Sequence, residues 1–195
     1  MVPRLLLILA VAAPSRACSR GGIPRNEHTI PDPELTRLFE EDQASRSGPL
    51  EQVDMAALNR QDSTRRQAAR GRAKAGALRT ALDYYHAAMI FQHGLDSTAY
   101  ALAHRWATQS QALDSTNLTV RWLVAATWDR YQMSRNLPQW YGTQTDRMPR
   151  GTGRVVLYTI DTTHVTDAER QWRGVGTLAE LRTRLDMLNK RLGLP

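Results

Sequence analysis

Cysteine occurs once in the 195 residues, at Cys18. This excludes an internal disulfide scaffold and any cysteine-based zinc cluster. HExxH, paired-Cys and DxDxDG patterns are also missing, so no metal or cofactor is expected. His86 and His93 share a helix face but stand nearly two turns apart, too far to ligate one ion easily. Gly151-x-Gly153 lacks the strand-to-helix setting of a phosphate loop and reads as a turn. Lysine is almost absent: all of the 26 Lys and Arg residues except Lys74 and Lys190 are arginine. Arginine favours bidentate contacts to carboxylate or phosphate, although GC-rich coding produces the same bias. The basic stretch Arg60, Arg65, Arg66, Arg70, Arg72, Lys74 and Arg79 is opposed only by Asp62, and no aromatic lies between Phe39 and Tyr84. Without base-stacking side chains it reads as a solvated helix face, and nucleic acid is not an expected partner.

Long apolar runs are missing beyond the first residues. Leu5–Ala13 (LLLILAVAA) is uninterrupted, but nine residues span only about 14 Å as a helix, too short for a bilayer core. With Arg4 before it and Pro14 after it, residues 1–17 read as an export signal. Ser15-Arg16-Ala17 offers small residues at −3 and −1 of a cleavage site. Cys18 directly after Ala17 is similar to the lipobox of bacterial lipoproteins and is a candidate for lipidation, though Ser15 and Arg16 depart from the usual box. The expected location is extracytoplasmic, in the periplasm or lipid-anchored through Cys18. Removing residues 1–17 takes away Arg4 and Arg16 and lowers the net charge from +7 to +5, a modest value.

Residues 18–31 are Gly-, Pro- and polar-rich, a tether. A single mostly helical domain is expected over 32–195. Asp32-Pro33 is an N-cap with Pro at the first helical position, and Leu35, Leu38 and Phe39 make one stripe. Thr80–Asp83 resembles a capping box for a helix, apolar almost all round, that ends at His93-Gly94. Asp96 or Ser97 and the Asp114–Asn117 turn start two more. The apolar pattern then shortens. Gln139–Gln144 and Arg154–Ile160 read as two extended segments of a small hairpin. Thr166–Glu169 is a capping box, and Leu178, Leu181, Leu185, Leu188 and Leu192 stripe the last helix. The expected fold is mainly α: a bundle of stacked antiparallel helices with a small β-hairpin near the C-terminal third.

Two inward polar residues stand out. Leu82, Tyr85, His86, Met89 and His93 share one face of their helix; Leu118, Trp122, Ala125, Ala126, Asp129 and Met133 share one face of another. A buried carboxylate is costly unless paired, so Asp129 is expected to partner His93 and to favour its imidazolium form. Such a pair serves either as a general base and its orienter or as a polar lock between core helices.

Glu41-Asp42-Gln43 with Arg46, Ala88–Gly94 (AMIFQHG), Asp129-Arg130 and Pro138–Gln144 (PQWYGTQ) together resemble an uncharacterised family of bacterial helical proteins. Its members share DQ..R, QHG, DR and YGTQ motifs, and the resemblance covers about residues 34–190. It implies no particular activity. It singles out Asp42, Arg46, Gln92, His93, Asp129, Arg130, Gln139, Tyr141, Gly142, Thr143 and Gln144; of these Gln92, His93, Asp129, Arg130, Gln139, Tyr141, Thr143 and Gln144 are the ligand-binding candidates, with Asp42 and Arg46 in support. The leading expectation is an exported envelope protein that binds a small molecule or a protein partner around His93, Asp129 and Gln144. The alternatives are a hydrolase-type enzyme, with His93 as general base and Gln144 or Tyr141 orienting the substrate, and an accessory subunit of an envelope complex.

Overall fold

The computed structural model describes residues 30–48, 53–148 and 153–194. The expected signal segment, Cys18, the tether as far as residue 29 and most of the 149–153 turn lie outside the described residues. Each helix begins where the local chemistry directs. Asp32 accepts from the Leu35 amide at 2.9 Å, with Pro at the start of α1 (Pro33–Ala44). Asp54 accepts from the Ala56 and Ala57 amides to start α2 (Met55–Lys74), which ends before Gly76 at φ +73°. A reciprocal Thr80–Asp83 capping box opens α3 (Ala81–Phe91). Asp96 caps α4 (Ser97–Leu113), and Asn117 caps α5 (Leu118–Ser134). Cap oxygens satisfy amides that have no partner within the helix, each contributing about 1 kcal/mol.

Consecutive helices run up and down, so α1 and α3 are parallel. At one end of the bundle the Asp32 amide donates to Asp83 at 2.7 Å, and Arg72 pairs with Asp32. At the other end His93, just past α3, meets Asp42 near the end of α1. α3 lies centrally, packed against α1, α2, α4 and α5. Ala87, Ala88, Ala103 and Ala107 are fully buried, letting α3 and α4 approach closely, while Leu35, Leu38, Ile90, Phe91, Trp106 and Leu123 fill the core. Leu82, placed on the inward face by periodicity, is 42 % exposed. The expected solvated face of α2 is only partly so: Arg60 and Arg70 are exposed, but Asp62 and Arg65 are buried against α1.

The hairpin exists with its first arm displaced. β1 (Thr145–Met148) pairs antiparallel with β2 (Arg154–Leu157), Thr145 opposite Leu157 and Met148 opposite Arg154. Gln139–Gln144, expected as a strand, is instead a folded loop with a single parallel bridge, Gln139 to Ile160. The amides of Trp140, Tyr141 and Thr143 turn inward to a carboxylate and are not available to a ladder. Thr166 caps α6 (Asp167–Trp172), but Glu169 does not close the expected box; its carboxylate accepts from the Tyr141 hydroxyl and Arg173. A full capping box opens α7 (Leu178–Arg191). On α7 only Leu185 and Asn189 are buried. The Asn189 amide bonds both the N–H and the C=O of Val155 at 2.8 Å, covering that edge of β2 as another strand would.

Candidate functional site

The residues singled out by sequence divide into two structures. Asp129 is fully buried on α5. Its Oδ1 accepts from the Trp140 and Tyr141 amides at 2.9 and 3.0 Å; its Oδ2 accepts from the Thr143 amide and hydroxyl at 2.9 and 2.8 Å. A carboxylate has room for about four donors, so this one is full. Burial pushes its pKa up, and the four donors oppose that by stabilising the charged form.

The rest of the loop closes on itself. The Gln139 amide donates to the Gln144 and Tyr158 carbonyls, and its Oε1 accepts from the Gln144 amide, all at 2.9 Å. Gln144 Nε2 donates to the Thr143 hydroxyl at 2.9 Å, and the Tyr141 hydroxyl donates to Glu169 at 3.2 Å. Gly142 sits at φ +89°, a backbone conformation that favours glycine, and a Cβ there would push on the Leu181 Cδ1 methyl at 2.8 Å. Arg170, fully buried, donates to the Trp140 carbonyl at 2.9 Å from the other side; nothing in the sequence around α6 marked it. Gln139, Tyr141, Thr143 and Gln144 therefore form a clamp that seats the loop on α5.

The expected His93–Asp129 partnership does not form. His93 Nδ1 bonds Asp42 Oδ1 at 3.0 Å. Asp42, fully buried, also takes Arg46 at 2.9 Å and Gln43 at 2.8 Å. Arg46 continues to Asp62, and Asp62 to Arg65 at 2.9 Å, joining α1 to α2. The physical reason is the helix direction: the C-terminal ends of α1 and α3 meet, putting Asp42 against His93. Asp129 has a nearer demand, three amides of its own following loop. Nor is the imidazolium favoured. Burial pushes the His93 pKa down, and the charges of Arg46 and Arg130 add to this against the Asp42 hydrogen bond.

This end of the bundle is cationic and incompletely satisfied. The carbonyls past α3 are taken: Arg66 donates to His93 at 2.8 Å and the Tyr100 hydroxyl to Gly94 at 2.6 Å. Arg130 is 6 % exposed, lies beside Tyr100 and within electrostatic reach of Arg46, and meets no carboxylate at ion-pair distance among the described residues. Its Nε, His93 Nε2 and Gln92 Oε1 are buried without hydrogen-bond partners. Gln92 Nε2 has only the Met89 sulfur, at 3.0 Å. An arginine keeps its proton at any physiological pH. The nearby C-terminal helix dipoles offset about 1 kcal/mol of its burial, whereas burying an ion costs several. A bound counter-charge would remove that imbalance.

Among the described residues no group of three His, Cys, Asp or Glu side chains is arranged to hold a metal ion. A cleft of about 290 Å³ between β2 and α7 contains none of the candidate residues. Comparison of the chain with family models, with curated proteins and with solved structures gives no match.

Proposed function

We propose that the protein is a small-molecule-binding domain whose site is the α1–α3–α5 end of the bundle, with Arg130 receiving an anionic group beside His93, Arg46 and Gln92. The observation that carries this is the buried Arg130 guanidinium, without an acidic partner among the described residues and within electrostatic reach of His93, whose Nε2 is also buried without a partner. Asp129, Gln139, Tyr141, Thr143 and Gln144 belong to the clamp and contribute indirectly, by fixing the helix that carries Arg130. The export-signal pattern and the small residue before Cys18 support placing this domain outside the cytoplasm, soluble or lipid-anchored.

A second reading is an enzyme with His93 as general base. The Asp42–His93 hydrogen bond favours it, because a carboxylate on Nδ1 fixes the tautomer and leaves Nε2 free to take a proton. Tyr141 and Gln144 do not serve it as substrate-orienting groups, since their polar atoms are engaged within the clamp.

The test is thermal unfolding of the purified protein at constant ionic strength with small carboxylates and inorganic phosphate. One or more anions should raise the melting temperature saturably in the wild type and leave Arg130→Met unmoved. Equal response of the two proteins, or no response to any anion, would overturn the assignment.

A further inference from the structure

We propose that the ligand received at this end of the bundle is a small 2-hydroxycarboxylate, its carboxylate on Arg130 and its hydroxyl donated to His93 Nε2. This rests on the anion-binding reading above. It follows from counting donors and acceptors. Asp42 Oδ1 already serves as an acceptor, taking the Arg46 guanidinium at 2.9 Å, which makes His93 Nδ1 the donor in their 3.0 Å bond. A ring protonated on Nδ1 carries a lone pair on Nε2. That lone pair is buried and unpartnered, on a ring within electrostatic reach of Arg130. An anion without a donor would satisfy Arg130 and set a second acceptor against Nε2. A ligand with an O–H next to its anionic group satisfies both.

Charge narrows the class further. Asp42 and Asp62 are matched by Arg46 and Arg65, which leaves Arg130 as the uncompensated buried cation among the described residues. One such charge suits a monoanion better than a phosphate dianion. An amino acid would bring an ammonium group beside Arg46 and Arg130, where like charges repel. The Arg130 residue is only 6 % and the His93 side chain 8 % exposed, so a ligand that reaches both must be one of few atoms.

The experiment compares glycolate and lactate with acetate, propionate, glycine and inorganic phosphate by calorimetric titration of the whole protein. Leaving a buried acceptor unmet costs about 1–3 kcal/mol, so the hydroxy acids should bind about tenfold or more tighter than the acids lacking the hydroxyl. Equal affinity within each pair overturns the hydroxyl inference and leaves the anion site standing. Tightest binding of phosphate or glycine also overturns it. Binding of none removes both readings. A second measurement needs no ligand and no variant: long-range proton–nitrogen NMR of His93 should show the Nδ1-protonated tautomer. A proton on Nε2 would contradict the proposal.

Discussion

Replacing Asp129 by Asn keeps the shape of the side chain and removes half of its accepting capacity. In the folded protein the carboxylate accepts four bonds of 2.8–3.0 Å, three from loop amides and one from the Thr143 hydroxyl. An asparagine offers one oxygen. Whichever way the amide is turned, its NH₂ faces two donors, either the Trp140 and Tyr141 amides or the Thr143 amide and hydroxyl. Two charge-assisted bonds at about 1.5–3 kcal/mol each are lost. Part of this is recovered because a buried charge has gone. A net destabilisation of about 3 kcal/mol remains, a large share of the 5–15 kcal/mol typical of a domain. Urea unfolding followed by tryptophan fluorescence and far-ultraviolet circular dichroism measures it, since Trp140 lies in the clamp and stacks against His164 at 4.1 Å. A loss below about 0.5 kcal/mol, within the range of ordinary surface substitutions, would refute the view that this carboxylate organises the loop.

Two further outcomes follow from other buried groups. Burial lowers the pKa of His86, 4 % exposed and stacked on Phe39, from 6.5 to about 4. The unfolded chain therefore binds the extra proton first, and stability should fall as pH drops from about 6.5 to 4. The loss attributable to this residue is up to about 3 kcal/mol, and His86→Phe should flatten that part of a urea-unfolding series across pH. Asn189→Leu should cost about 2–4 kcal/mol by leaving the Val155 N–H and C=O buried and unmet. Faster hydrogen exchange at Val155 would locate the effect, and unchanged exchange would contradict it.

The helix starts and the mainly helical architecture were legible in the sequence because capping is local chemistry. Asp32, Thr80 and Asp96 each act within three residues of themselves. The inward placement of Asp129 was legible too, from helical periodicity. Its partners were not, because it is satisfied mainly by backbone amides, which every residue but proline carries and which leave no compositional trace. The same gap explains the misplaced arm of the hairpin: Gln139–Gln144 has the aromatic and threonine content of a strand, but the amides of Trp140, Tyr141 and Thr143 are claimed by Asp129 and that of Gln144 by the Gln139 side chain. Asp42 entered only through the resemblance to a family, since 51 residues separate it from His93 and only the parallel packing of α1 and α3 brings them together. Asp62 and Arg65 were hidden inside a basic stretch whose composition reads as solvated. Asn189, one residue past the leucine stripe position Leu188, carried no signal beyond being a polar residue beside an apolar face.

The central claim is that Arg130 is held for a ligand and not for the fold, and Arg130→Met separates these directly. In anion-free buffer the variant loses a buried cation that lacks an acidic partner among the described residues. Its unfolding free energy should therefore match or exceed the wild type, by as much as about 1–3 kcal/mol, while the stabilisation by added hydroxycarboxylate disappears. A loss of about 3–5 kcal/mol, as expected from breaking a satisfied buried ion pair, would show that Arg130 supports the bundle and would contradict the account.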